Sequence, residues 1–163
     1  MALTRINNQA LVNLTFEKAR MPSGSILQVV NAKTNTPAAE TGSSFDDISF
    51  SASITPTSTS SKILILGSLS MYHDSSNMQA AVTVFRGSVA SGTNLGHSVY
   101  GFGASYVSTG AHKNDIGVNY LDSPSTTSAT TYTVAIKNTG SSGTAYLSVN
   151  GETSTITLME IAG

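Results

Sequence analysis

From Ser25 onward the hydrophobic positions fall in short runs divided by clusters of Ser, Thr, Gly and Asn. The runs Ile26–Asn31, Phe45–Ile54, Lys62–Tyr72, Met78–Arg86, Gly96–Val107, Asp115–Leu121, Thr131–Lys137, Thr144–Val149 and Thr153–Ile161 read as β-strands. Short strands at regular spacing with turn residues between them point to a sandwich or barrel rather than alternating βα units. The alternation is clearest where Tyr132, Val134 and Ile136 point one way and Thr131, Thr133 and Lys137 the other, the pattern of a half-buried antiparallel strand. The expected fold is therefore all-β: an antiparallel β-sandwich, a jelly roll of about eight to ten strands, over residues 25–163.

Three runs carry apolar residues on both faces. In Lys62–Tyr72, Ile63, Ile65, Leu69 and Met71 alternate with Leu64, Leu66 and Tyr72. In the last run Ile156 and Leu158 alternate with Met159 and Ile161, and in Val99–Val107 the aromatics Tyr100, Phe102 and Tyr106 share one face, with Val99 and Val107 on the other. A central strand buried on both sides explains any one of these. Three together favour a surplus face covered by other copies of the chain, because large apolar patches seldom face water in a monomer and closed symmetric rings are the usual result.

The first 24 residues are different. Leu3, Ile6, Ala10 and Leu14 could share a helical face, but Asn7, Asn8 and Asn13 weaken it, and Pro22-Ser23-Gly24 ends it. A solvated tail is one reading. Leu3, Ile6, Leu11, Val12, Leu14 and Phe16 are more apolar residues than such a tail needs, so residues 1–24 are expected to be an arm that docks on another subunit or protein. Two loops echo each other, Thr55-Pro56-Thr57-Ser58-Thr59-Ser60-Ser61 and Ser123-Pro124-Ser125-Thr126-Thr127-Ser128. Proline stops one strand and short hydroxyl side chains hold the turning backbone before the next; an exposed hydroxyl-rich loop that touches a partner is the alternative.

Composition narrows the function classes. Of 163 residues, 26 are Ser and 21 Thr, while only 10% are charged, so hydroxyls rather than charges supply the polarity. Lys+Arg 8 against Asp+Glu 9 gives a net charge of −1, and without clustered basic residues a nucleic-acid partner is excluded. There is no cysteine, hence no disulfide or thiolate chemistry. The N-terminal run is too broken by Asn7, Asn8 and Gln9 for a secretory signal, and Ile63–Leu66 is far too short to insert in a membrane.

No catalytic group emerges. His73 lies beside Asp74, and His112 three residues from Asp115, but neither pair has zinc-type spacing; His73, His97 and His112 are all expected to be solvated loop residues, with an ion on an oligomer axis as the alternative. Asp46 and Asp47 are adjacent on a strand and so point to opposite faces. Gly101-Phe102-Gly103 starts like a dinucleotide fingerprint, yet Tyr106 replaces its last glycine and no helix follows. The sequon Asn13-Leu14-Thr15 means little without a secretory signal. The expectation is a non-enzyme with no cofactor and no metal.

Taken in order, Met1-Ala2-Leu3-Thr4-Arg5-Ile6-Asn7-Asn8-Gln9, Pro22-Ser23-Gly24-Ser25-Ile26-Leu27-Gln28-Val29-Val30, Ile54-Thr55-Pro56-Thr57-Ser58-Thr59-Ser60-Ser61-Lys62-Ile63 and Thr155-Ile156-Thr157-Leu158-Met159-Glu160-Ile161 resemble small virion proteins of tailed bacteriophages, cyanophages in particular. The resemblance covers nearly the whole chain and brings no catalytic residues with it. It implies a trimeric jelly roll like that of the tumour-necrosis-factor superfamily, in the virion after assembly in the host cytoplasm. The first expectation is a tail-fibre or receptor-binding subunit attached by its N-terminal arm and facing the host surface, and a head decoration is the alternative. The short chain departs from tail fibres with long shafts. On this reading Leu3, Ile6, Leu11, Leu14 and Phe16 dock the arm to other virion proteins, and Tyr100, Phe102, Tyr106, Met159 and Ile161 form the trimer interface. Tyr72 and His73, beside Tyr100 and Tyr106, are the candidate contacts to a host surface glycan, since three weak sites on one trimer combine by avidity. A free carbohydrate-binding module is the remaining alternative; no acidic pair supports glycosidase chemistry.

Overall fold

The computed structural model describes residues 21–140 and 142–163. They form strands β1 (Ile26–Thr34), β2 (Ala38–Glu40), β3 (Asp46–Ile54), β4 (Lys62–His73), β5 (Met78–Arg86), β6 (Thr93–Asn94), β7 (Gly103–Val107), β8 (His112–Asp122), β9 (Thr130–Asn138), β10 (Ala145–Leu147) and β11 (Ser154–Ile161). Two antiparallel sheets face each other in a jelly-roll-like sandwich, and the all-β expectation holds. One sheet has six strands: β1, β11 and β4 are neighbours, β8 pairs with the other side of β4, and β10 links β4 to β2. The other has five, with β3, β9 and β5 side by side and β6 and β7 both paired to β5. β4 is the longest strand; β11 and β10 share one of its edges end to end, while β8 runs along the whole of the other.

Period-two alternation places the core. Ile63, Ile65, Leu69 and Met71 of β4, Ile156 and Leu158 of β11, and Ile116 and Val118 of β8 meet Met78, Ala80, Val82 and Val84 of β5 and Tyr132, Val134 and Ile136 of β9. Each fully buried branched side chain stabilises the fold by about 1.5–3 kcal/mol over its exposed state.

Two expectations are corrected. β9 is not half-buried: Thr133 and Lys137, on its outward side, are buried as well. The segment after β5 crosses back over this face, where the Gly87 carbonyl accepts from Thr133 Oγ1 at 2.9 Å and the Ser98 carbonyl accepts from Lys137 Nζ at 3.3 Å. The Lys137 ammonium lies 4.4 Å over the Phe45 ring. Nor is Gly96–Val107 one strand. The His97 and Gly101 backbones exchange hydrogen bonds of 3.0 and 2.8 Å, and Gly101 adopts a φ of 60°. A Cβ on Gly101 would lie 2.0 Å from the Val82 carbonyl oxygen, so this turn can lie flat on β5 only as glycine. Regular pairing resumes at Gly103.

Candidate functional site

The outer face of the six-stranded sheet is where apolar surface is left over. Register sets Val29 of β1 opposite Met159 of β11, Met159 opposite Leu64 of β4, and Leu64 opposite Leu121 of β8. One unbroken apolar row thus crosses four neighbouring strands. Ile26 and Ile161 extend it towards one end, and Leu66 continues it towards the other. Ile26, Val29 and Leu121 are 55%, 54% and 49% exposed. The next rows along are polar: Asn31, Thr157 and Asn119 flank Leu66, and Lys33, Thr155 and Ser68 follow. Core-facing residues of the same strands are buried, so the apolar doubling seen in Lys62–Tyr72 and Ser154–Ile161 belongs to one surface, not to two buried sides.

Tyr72 of β4 sits on this face as well. Its ring centroid is 5.6 Å from that of Tyr146 of β10, whose hydroxyl donates to Asp74 at 3.3 Å. The Thr144 N–H at 2.8 Å, with Ser75 and Tyr146, holds the Asp74 carboxyl below its ordinary pKa against the opposing effect of burial.

The expected interface residues divide. Met159 and Ile161 lie on the apolar face just described. Tyr100 and Tyr106 are exposed on the five-stranded side: Tyr100 stacks on His97 at 5.4 Å, and the Tyr106 hydroxyl donates to Asn77 Oδ1 at 3.4 Å. Phe102 does not share their face; it packs edge-on against Tyr120, 5.8 Å between centroids, at the margin of the core. His73 also departs from expectation. It is fully buried at the end of β4, where the core side of the strand has no solvent, so it is neither a solvated loop residue nor free to touch a receptor. Burial lowers its pKa, with the Ser75 carbonyl opposing. Leu3, Ile6, Leu11, Leu14 and Phe16 lie outside the described residues, as does the helical face considered for them.

Two carboxylates whose burial has no signal in the sequence lie inside the sandwich. Glu160 is fully buried, at the apolar end of β11. Its Oε1 accepts from the Thr57 N–H at 2.6 Å, the Thr57 hydroxyl at 2.7 Å and the Ser61 hydroxyl at 2.7 Å, and its Oε2 from Gln28 Nε2 at 2.6 Å. Burial pushes its pKa up, and these four donors outweigh burial and leave it below the ordinary carboxylate value. The Thr55–Ser61 loop is thereby fastened across the end of the sandwich. Asp122 ends β8 and takes Arg86 Nη1 at 2.8 Å and the Tyr132 hydroxyl at 2.7 Å. Burial, with the Asp122 bond adding to it, raises the Tyr132 pKa. Both sites tie loops and strand ends together and offer no free acid or base.

A cleft of ≈ 540 Å³ opens over β9, lined by Asp47, Ser51, Arg86, Thr130, Thr131 and Thr133. It has hydroxyls and one cation but no aromatic face on which a sugar ring could stack. Among the described residues no three His, Asp or Glu side chains gather as metal ligands, and no helix is long and apolar enough to cross a membrane.

This sandwich is a fold shared with virus particle proteins. No family model and no curated protein matches the chain. Among solved structures, the VP2 subviral particle of infectious bursal disease virus is similar at a TM-score of 0.52 and 13% identity, over 85% of this chain and 34% of VP2. The T13 particle of the same virus aligns at a TM-score of 0.45 and 14% identity, over 85% of this chain and 37% of its own. At these identities the likeness is one of fold, and this chain spans about a third of the proteins it resembles.

Proposed function

We propose that this chain is a non-enzymatic structural subunit of a virus particle and assembles as a homotrimer through the outer face of its six-stranded sheet. The observation that carries this reading is the row Val29–Met159–Leu64–Leu121 with Ile26 and Ile161 beside it. The occupant of that face is a further copy of the chain. The row runs out onto β1, the end strand of the sheet, which pairs only with β11 among the described strands and so presents a nine-residue open edge next to the apolar surface. Such an edge is a template for pairing between like chains. The row itself carries no charge that would select a charged partner. Residues 1–24, through Leu3, Ile6, Leu11, Leu14 and Phe16, dock the trimer to another virion component.

Two placements on a bacteriophage particle fit this assembly. The fold shared with VP2, which forms a subviral particle, supports a head decoration. The buried His73 removes one candidate glycan contact, which weighs against the tail-fibre, host-attachment reading and leaves it as the second one. Gold-labelled antibody against this chain, applied to intact particles, tests both: label over the head is expected. Label confined to the tail tip replaces decoration with attachment, and absence of the chain from purified particles overturns the virion reading.

A further inference from the structure

Where β4 ends and β8 begins, His73 and His112 stand opposite each other in register, with ring centroids 6.0 Å apart. Nδ1 of His73 faces the Ser75 carbonyl oxygen at 3.2 Å. A carbonyl can only accept, so Nδ1 carries the proton and Nε2 presents a bare lone pair. That Nε2 is buried and has no hydrogen-bond partner. Asn114 Oδ1 and Ser105 Oγ are in the same condition. Asn114 is two residues along β8 from His112, on the same side of the strand. Ser105 is on β7, which packs against β8 and joins it through residues 108–111. Three partnerless buried polar atoms therefore fall on strands that meet at one corner, although buried polar groups are nearly always satisfied.

The kinds of atom decide what is missing. An imidazole nitrogen fixed by a backbone carbonyl on its other nitrogen is the arrangement that orients histidine as a metal ligand. Two imidazoles on one ion, each nitrogen about 2.0–2.1 Å from it, place their ring centroids roughly 5–6 Å apart. His112 is exposed and gives the corner an entrance from solvent. Asp74, the nearest acid in sequence, is already taken by the Thr144 N–H and the Ser75 and Tyr146 hydroxyls and is not a ligand. We infer that His73 Nε2, a ring nitrogen of His112 and Asn114 Oδ1 bind one divalent transition-metal ion of the zinc class. A water completes the ligand set, and the Ser105 hydroxyl holds that water. Two imidazoles and an amide oxygen are a neutral set, suited to Zn²⁺, Co²⁺ or Ni²⁺ rather than to hard cations that need carboxylates.

The test uses tag-free full-length protein stripped with a chelator and titrated with Zn²⁺ by calorimetry and with Co²⁺ by visible absorption. Expected are saturation at one equivalent per chain, a Co²⁺ absorption band and a raised unfolding midpoint with Zn²⁺. Replacing the buried His73 risks the fold, so His112→Ala is the deciding variant: it keeps the metal-free unfolding midpoint and weakens Zn²⁺ binding at least about tenfold. His97→Ala leaves binding unchanged. Absence of saturable binding, or binding that survives His112→Ala unaltered, overturns the site and assigns the partnerless atoms to a buried water.

Discussion

Replacing Glu160 by Gln isolates what a buried carboxylate does for this fold. The shape is kept and the charge removed. In the native protein four donors converge on the two oxygens, at 2.6–2.7 Å. A glutamine oxygen can still accept from Thr57 and Ser61, but its NH₂ then faces Gln28 Nε2, donor against donor. Gln28 cannot turn its own amide over without giving up the 2.7 Å bond it donates to the Thr55 carbonyl. Losing charge assistance in three bonds and one bond outright costs about 2–3 kcal/mol. For a domain of this size that lowers the melting temperature by roughly 4–12 °C. The pH dependence gives the sharper criterion. The carboxyl pKa is lowered in the folded state, so its stabilisation is complete above the unfolded value of about 4.3. It is lost as pH falls through the still lower folded value. Calorimetric melting of wild type and Glu160→Gln at pH 7, 5 and 3 is therefore expected to show a gap that is full at pH 7 and 5 and shrinks at pH 3. Equal melting temperatures at pH 7, or a gap that stays constant down to pH 3, refute the clamp.

Other perturbations separate surface from core. Val29→Lys and Leu121→Lys together change exposed positions at the ends of the apolar row; circular dichroism is expected to report a folded chain within about 1 kcal/mol of wild type, and light scattering a single copy. Tyr132→Phe removes the donor to Asp122 and is expected to cost about 1–2 kcal/mol in a urea titration; an unchanged midpoint contradicts the Arg86–Asp122–Tyr132 tie. Gly101→Ala puts a Cβ on the Val82 carbonyl and strains a left-handed residue. A loss of roughly 2–4 kcal/mol is expected, read as faster hydrogen exchange across β5 and β7.

The strands were legible because period-two alternation is a local signal. β4 and β5 each match their expected runs to within one residue, and even the second apolar face of β4 was visible as Leu64, Leu66 and Tyr72. What a strand's second face meets is not local. Thr131–Lys137 reads as half-exposed in isolation, and its burial depends on residues 87–101 crossing over it, led by a glycine turn that alternation mistakes for strand. β2 and β6, at 3 and 2 residues, are too short to show a period. The carboxylate of Glu160 looked like one polar step in an apolar strand, because its donors at Gln28, Thr57 and Ser61 are distant in sequence. The echo of hydroxyls in Thr55–Ser61 is the available clue, but neither turn chemistry nor a partner contact at an exposed loop points from it to Glu160. His73 was misplaced for a similar reason: β4 runs one residue further than its apolar pattern, and that residue falls on the core side.

Sedimentation of the full-length chain at micromolar concentration bears most directly on the apolar outer face. A mass about three times 16.8 kDa is expected for the wild type. A stable, folded species of 16.8 kDa at that concentration contradicts the account, because Ile26, Val29 and Leu121 would then face water with no partner.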